Sequence, residues 1–461
     1  MIKKLSINGF RGFGEIQTII FSLPDGKREG SGLNIITGAN NSGKTTIIES
    51  IRAFNNSQNP TFSEGKRNLK TESRVELKII DENDNEYTIR TVDSGGSSTE
   101  KNSDFSFKSY IVQSRRAINY EFSKATTSRD HYVSEALGIE SQRSATLNNF
   151  TYRIFQIEND KEKFDRVLCR ILGQNFKWTI EQRDSGNYYI KYISNGVAHS
   201  SEGIGDGVWS VFTICAALYD APPKSTVVID EPELSIHPSL QKKLRDLLIE
   251  YSRDIQVIIS THSPYFISWV AISQGAGLIR VVKEHENTKC YYLKNDCRNN
   301  ISGIIKDINN PHVLGISANE IFFLEDRIVL VEGQEDVVIY KKIASDIGKS
   351  FEGEFFGWGV GGAPKMQIFL SMFKDLGYKK VVAIFDGDKK DEAEELEKQF
   401  TKYHFVILKE DDIRDKRKRE ITAKNGITDE KGNIKLENKD YMTQTIQEIN
   451  RYFNSTNDTD F

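Results

Sequence analysis

Residues Gly38-Ala39-Asn40-Asn41-Ser42-Gly43-Lys44-Thr45-Thr46 fit the pattern G-x-x-x-x-G-K-[ST], and the chemistry of that pattern is phosphate binding. Glycines let backbone N–H groups close around phosphate oxygens, and a helix beginning at the lysine adds the positive end of its dipole. Lys44 then reaches the β and γ phosphates of ATP, and Thr45 offers its hydroxyl to Mg²⁺. The apolar run Val227-Val228-Ile229 ends in two acids, Asp230 and Glu231. Asp230 suits a Mg²⁺ ion held through water, and Glu231 is placed to polarise an attacking water. Past the run ending at Ile259, His262 falls where α/β sheets place groups that touch ligands, although a lone histidine is more often structural.

A second acidic set closes two further apolar runs. Val329-Leu330-Val331 ends in Glu332, and Ile384-Phe385 ends in Asp386-Gly387-Asp388, with a glycine-rich segment from Gly359 to Lys365 between them. Strand ends of one parallel sheet share an edge, so Glu332, Asp386 and Asp388 are expected to meet and to hold a hard cation such as Mg²⁺ or Mn²⁺. A cation there activates water and stabilises a leaving oxygen in phosphodiester cleavage. Taken singly, each acid reads as a solvated strand end. The densest basic run, Arg414 with Lys416, Arg417, Lys418 and Arg419, is either a solvated face or a contact for phosphate backbone, and no aromatic residues interleave it.

The elements that must position these residues follow from pattern. Lys3 to Phe21 alternates in period two, and Leu33 to Ile36 reads as the strand before the phosphate loop. From about 55 to 200 the chain turns polar, with strand-like runs at Val75 to Ile80 and Ser109 to Val112. Within it, Leu147, Phe150, Ile154, Ile157, Phe164, Leu168 and Ile171 fall at helical spacing with a break at Lys161. That helix either faces the core of an ordinary insert or forms an interaction arm. Val227 to Ile229 and Val257 to Ile259 are continuous apolar runs of the kind buried in parallel sheets. From Phe322 strands alternate with helices, one of them over Asp336 to Ile347, which implies a separate small α/β domain. The stretch after Asn425, rich in Asn, Asp, Thr and Lys, reads as a tail, its last residues mobile.

With 461 residues, the chain has material for about three domains at ~150 residues each. Net charge is −4 and mean hydropathy −0.49, which gives no global basic field and no membrane span. The amino-terminal residues lack the pattern of a secretory signal, so a cytoplasmic location is expected. Cys169, Cys215, Cys290 and Cys297 form no CxxC pair, so reduced thiols and no structural metal are expected.

The order FRGF, GANNSGKTT, SSEGIGDG, VVIDEPELSIHP and ISTHSP resembles ABC-type ATPases of recombination and chromosome maintenance over residues 1–322. The resemblance implies that Ser201 and Gly203 belong to a signature segment capping the γ-phosphate of an opposite subunit. It also implies that Ser235 to His237 form the D-loop and that His262 is the switch histidine. Nucleotides sandwiched between two heads imply a homodimer or larger homo-oligomer. Asn40, Asn41, Ser42, Gly43 and Thr46 join Lys44 and Thr45 around the nucleotide, and Gln113 is either the Q-loop glutamine or an ordinary loop residue. The insert between Lys44 and Asp230 is too short for very long coiled-coil arms.

Residues 323–415 resemble a Toprim domain, and an ABC-type head followed by Toprim resembles the OLD family, the overcoming-lysogenization-defect nucleases of anti-phage defence. The expected architecture is therefore α/β: an ATPase head over 1–322 with a helical and strand insert at about 55–200, then a small Toprim α/β domain over 323–461. On the family pattern, Glu332, Asp336, Asp386 and Asp388 are the metal-site acids. The later Ile-Glu of the family is Asp411-Asp412-Ile413-Arg414 here, so either Asp411 or Asp412 substitutes or a second metal is weak. The implied activity is an ATP-regulated, metal-dependent nuclease acting on DNA in preference to RNA. The alternatives are an ATPase sensor or scaffold governing a separate defence partner, and a repair ATPase without cutting.

Overall fold

The computed structural model describes residues 1–55, 59–72, 74–92, 97–102, 109–114, 126, 128, 148–173, 176–194, 196–200, 205–307, 312–324, 326–416 and 423–455. They form two compact units, Met1–Tyr292 and Leu293–Phe461.

The first unit is organised by a six-stranded sheet of order β14-β13-β3-β12-β11-β7. Its strands are β3 (Leu33–Thr37), β7 (Ser109–Val112), β11 (Thr226–Asp230), β12 (Gln256–Ser260), β13 (Gly277–Glu284) and β14 (Asn287–Tyr292). All neighbours are parallel except β14, which pairs antiparallel with β13. Every residue of β3, β11 and β12 is buried, and burial on both faces is why the centres of β11 and β12, Val227-Val228-Ile229 and Val257-Ile258-Ile259, are continuously apolar.

A second, antiparallel sheet of order β2-β1-β4-β5-β6 packs its apolar side into the same core. It contains β1 (Ile2–Asn8), β2 (Gln17–Ile20), β4 (Glu76–Asp81), β5 (Glu86–Thr91) and β6 (Thr99–Lys101). Gln256 joins the two sheets: its Oε1 accepts from the Ile2 N–H at 2.8 Å and from Thr226 Oγ1 at 2.9 Å.

The expected insert at 55–200 needs correction. Its first part is integral to the head, because β4 pairs with β1 in the register Leu5↔Ile79 and β7 lies beside β11 in the main sheet. The remainder holds the helices Asn148–Glu158 and Lys161–Leu172 and a sheet of order β10-β9-β8, made of β8 (Lys177–Gln182), β9 (Tyr188–Ser194) and β10 (Val197–Ser200). Phe150, Ile154, Ile157, Phe164, Leu168 and Ile171 are all buried. The Phe164 ring lies 5.9 Å from Phe212 and 5.9 Å from Trp178, so these helices face the core, while Leu147 lies outside the described residues.

The second unit is a parallel sheet of order β16-β15-β17-β18, formed by β15 (Arg327–Leu330), β16 (Glu354–Phe355), β17 (Lys380–Phe385) and β18 (His404–Ile407). The helices Gln334–Asp346, Ala363–Asp375 and Lys390–Gln399 follow β15, β16 and β17. A small parallel pair, β19 (Asp412–Arg414) and β20 (Gly426–Thr428), stands apart from the main sheet.

The unit begins earlier than residue 323. The Asn295–Ile305 helix belongs to it, with Lys294 N–H donating to Asp375 at 3.1 Å and Cys297 Sγ 3.8 Å from the Ile368 carbonyl. Its end also differs from the expected tail. Lys439–Asn454 is a helix that buries Met442, Ile446, Ile449, Tyr452 and Phe453 in the core. All four cysteines are free, and no described helix is long and apolar enough to cross a membrane.

Candidate nucleotide and metal sites

The phosphate loop leaves the end of β3, and its shape depends on glycine. Gly38 has φ +146°, and a Cβ there would lie 2.2 Å from the Val281 carbonyl oxygen; Gly43 has φ +118°. Asn41 takes the left-handed region at φ 62°, which asparagine tolerates. Ser42 is buried and its Oγ has no hydrogen-bond partner, a polar atom fit to meet a phosphate oxygen. Ala39, Asn40 and Asn41 are exposed, and Thr45 opens the Lys44–Asn55 helix half-buried, with Thr46 buried behind it. Lys44 Nζ donates to the Gly38 and Ala39 carbonyls at 2.9 Å each. Burial pulls its pKa down to about 8 against the opposing fields of Glu231, Asp230 and Glu233.

The neighbouring strands bring the acids. Asp230, the buried last residue of β11, accepts a hydrogen bond from the Ser260 hydroxyl at the end of β12. Glu231 sits at φ 49°, a strained conformation held by its N–H donating to the Ser260 carbonyl at 2.9 Å. His262 Nε2 is 3.9 Å from Glu231 Oε1, and burial with the nearby Lys44 charge pushes the imidazole pKa down, so it is neutral near pH 7. These donors suit Mg²⁺ with a polyphosphate: hydroxyl from Thr45, carboxylate from Asp230, ammonium from Lys44.

Gln113 follows β7, and with its carboxamide oxygen turned inward it accepts from the Arg52 guanidinium at 2.9 and 3.0 Å. That fixes it against the helix that begins at Lys44. Ser201 and Gly203 lie outside the described residues. Glu233 is a residue the motifs did not single out. Burial pushes its carboxyl up, its Oε1 accepts from the His262 N–H at 2.5 Å and its Oε2 accepts from Thr261 Oγ1 at 2.8 Å. Its only sequence signal was a second acid just beyond the acidic strand end.

In the second unit, Glu332 lies beyond the end of β15 and Asp386 directly after β17. Glu332 Oε1 accepts from the Asp386 N–H at 3.1 Å, which brings the two strand ends together. The glycine-rich loop closes over Glu332, its Gly361 and Gly362 N–H groups donating to the Glu332 carbonyl at 2.9 and 2.8 Å. A Cβ on Gly359 would meet the Gly333 carbonyl oxygen at 2.6 Å, so glycine is needed for that approach. Asp336, in the first turn of the Gln334–Asp346 helix, accepts from the Gly333 N–H at 2.7 Å.

The electrostatics mark the cluster. Burial raises Asp386 to about 9, with the charges of Asp336, Glu332 and Asp412 adding to it, and raises Asp336 to about 7, with Glu332, Asp412 and Glu335 adding. Glu332 is likewise pushed up, by burial first and then by Asp388. Asp412 is buried and its charge acts on Asp336 and Asp386, whereas Asp411 is exposed.

Cations rim the cluster. Lys424 Nζ is 2.5 Å from Asp388 and 3.4 Å from Asp412, Lys416 pairs with Asp412, and Arg414 Nε is 2.7 Å from Glu335 Oε1. Arg417, Lys418 and Arg419 lie outside the described residues. Among the described residues, no three acid, histidine or cysteine side chains converge tightly enough to hold an ion as they stand. The oxygen donors and their surplus negative charge nevertheless fit a hard divalent cation once the lysines give way.

Residues 33–268 match the family described as AAA domain, putative AbiEii toxin, Type IV TA system, and residues 323–388 match the TOPRIM domain of overcoming lysogenization defect protein-like chains. The chain is similar to the Septu protein PtuA of Bacillus thuringiensis, 23% identical over 59% of this chain and 74% of the relative. It is also similar to the OLD nuclease of Thermus scotoductus, 25% identical over 52% of this chain and 47% of that one. With the Old nuclease of Escherichia phage P2 it shares 31% identity over 25% of this chain and 20% of the phage protein, so it spans less than half of either OLD relative. Among solved structures, an SMC head bound to the C-winged helix domain of ScpA aligns at 17% identity over 64% of this chain and 98% of that chain, with TM-score 0.41. The phosphate loop with its acidic strand end, and Glu332, Asp336, Asp386 and Asp388 of the second unit, thus fall in two matched domains, and the chain belongs to the AAA domain family in the architecture of the OLD family, an ATPase domain followed by an OLD-like Toprim domain.

Proposed function

We propose that the chain binds and hydrolyses ATP and that its nucleotide state governs a metal-dependent nuclease centre of the OLD type, used in defence against phage. The observation that carries this reading is the gathering of Glu332, Asp336, Asp386 and Asp412 within one another's fields, with Asp386 raised to about 9 and Asp336 to about 7. Carboxylates held in that state bind a divalent cation by relieving their own repulsion, and Mg²⁺ or Mn²⁺ there supplies an activated water and charge stabilisation for phosphodiester cleavage. Glu332, Asp386 and Asp412 would hold it, with Asp336 and Asp388 completing the set.

In the head, Lys44 binds the terminal phosphates, Thr45 and Asp230 hold Mg²⁺, Glu231 orients water and His262 approaches the γ-phosphate. Ser201 and Gly203 cap the nucleotide of a second copy, which makes the working unit a homodimer or larger. The substrate is nucleic acid, DNA in preference to RNA. The test is cleavage of plasmid and of RNA in Mg²⁺ or Mn²⁺ with and without ATP. An ATPase-competent protein that cuts neither sinks the nuclease assignment.

One observation favours a second reading. Lys424 and Lys416 already pair with Asp388 and Asp412, and Arg414 with Glu335. If those cations hold the cluster closed, the chain is an ATPase sensor that controls a separate effector. Phage resistance unchanged by Asp386→Ala would select it.

A further inference from the structure

A continuous hydrogen-bond path in the first unit links the loops that follow the adjacent strands β11 and β12. Gln241, in the Pro238–Tyr251 helix, is buried; its Nε2 donates to the Ile236 carbonyl at 2.7 Å and its Oε1 accepts from Ser263 Oγ at 2.6 Å. The Ser263 N–H donates to Thr261 Oγ1 at 3.0 Å, and that hydroxyl donates to Glu233 at 2.8 Å. Glu233 in turn accepts from the His262 N–H at 2.5 Å.

The Ile236 end is equally constrained. Ser235 stands at φ 62°, and a Cβ on Gly207 would lie 2.2 Å from its carbonyl oxygen, so the start of the Asp206–Asp220 helix presses directly on the Ser235–Ile236 turn. Thr261 is fully buried and Ser263 nearly so. Buried polar chains of this kind act as a unit, since breaking any bond leaves both former partners unsatisfied.

We propose that Gln241 is a positioning residue that couples the Ser235–His237 turn to His262 and so holds the histidine in place for hydrolysis. This inference rests on the proposed ATP hydrolysis. It predicts that ATP binding is independent of the path while turnover depends on it.

The experiment measures kcat and KM for ATP and binding of a fluorescent ATP analogue. It uses full-length wild type, Gln241→Leu, Ser263→Ala, the double variant and Ser263→Thr, which keeps the hydroxyl. A displacement of about 1 Å at a catalytic group costs up to ~100-fold, so a kcat loss of about 10-fold or more is expected in Gln241→Leu and Ser263→Ala, with analogue binding unchanged. The double variant is expected to lose no more than either single one, and Ser263→Thr to retain wild-type turnover. Unchanged kcat, additive losses, or equal loss of binding and turnover would overturn the coupling. A wild type that binds ATP without hydrolysing it would instead overturn the proposed function, and the coupling with it.

Discussion

Both candidate sites lie at the carboxyl edge of a parallel sheet, yet they balance charge in opposite ways. At the first edge a single buried ammonium, Lys44, faces Asp230, Glu231 and Glu233, and burial lowers its pKa to about 8. At the second edge the acids outnumber the buried cations, and it is the carboxyls that shift, Asp386 to about 9 and Asp336 to about 7. The first edge is shaped by backbone: glycines at Gly38 and Gly43, a strained Glu231, and an unpartnered Ser42 hydroxyl. It is ready for a phosphate chain that brings its own Mg²⁺. The second edge is shaped by side chains in mutual repulsion, and what it lacks is positive charge.

The largest effects should separate two roles within the first edge. Lys44→Ala removes the charge on the terminal phosphates and should abolish nucleotide binding and hydrolysis together. Glu231→Gln should keep binding while hydrolysis falls about 10²- to 10⁴-fold, the range of a lost general base, leaving ATP trapped and the chain at least dimeric by light scattering. Wild-type turnover in Glu231→Gln would show that the acid is misassigned.

Next in size, Asp386→Ala should eliminate cutting and leave ATPase turnover within about twofold, because the residue lies in the other unit. Loss of both activities would mean misfolding.

A smaller effect follows from linkage. An acid whose folded pKa exceeds its unfolded value of about 4 keeps its proton where the unfolded chain has released it, so stability without metal should fall as pH rises from about 4 towards 9. A divalent ion relieves the repulsion, so the thermal-shift gain from Mn²⁺ should be greater at pH 8 than at pH 6 and should vanish in Asp386→Asn. Equal gains at both pH values would contradict the raised Asp386 and Asp336.

The smallest effect concerns the rim. Lys424 competes with the ion for Asp388 and Asp412, and a partly exposed ion pair contributes about 0.2–1 kcal/mol. Lys424→Met should therefore tighten Mn²⁺ binding by about 1.4- to 5-fold in calorimetry. Weaker binding would make the lysine a support of the site.

The first edge was almost fully legible in the sequence, because the phosphate loop, Asp230, Glu231 and His262 each lie in short motifs whose geometry is local. Glu233 and Gln241 were not legible, since their roles come from contacts with Thr261, His262, Ser263 and Ile236, which other loops bring near. The second edge was half legible. Glu332 and Asp386 follow from strand ends, but the burial of Asp412 beside the exposure of Asp411 cannot be read from two adjacent acids in sequence.

Composition misled at two places. In the polar stretch from 55 to 200 the runs of β4 and β7 read as strands, but their membership of the head did not, because their partners β1 and β11 lie far away in sequence; β5 and β6 gave no such run. The Asn-rich stretch after Asn425 masked the Lys439–Asn454 helix, whose Met442, Ile446, Ile449 and Phe453 stripe was present at helical spacing.

The central claim is that the state of the first edge sets the activity of the second, and cleavage of plasmid DNA by wild type and Glu231→Gln in Mn²⁺, each with and without ATP, tests it most directly. The account predicts that cutting requires Asp386, that adding ATP changes the wild-type rate, and that Glu231→Gln with ATP stays locked at one extreme of that change. Cutting at the same rate in all four conditions, or none in any of them, would contradict it.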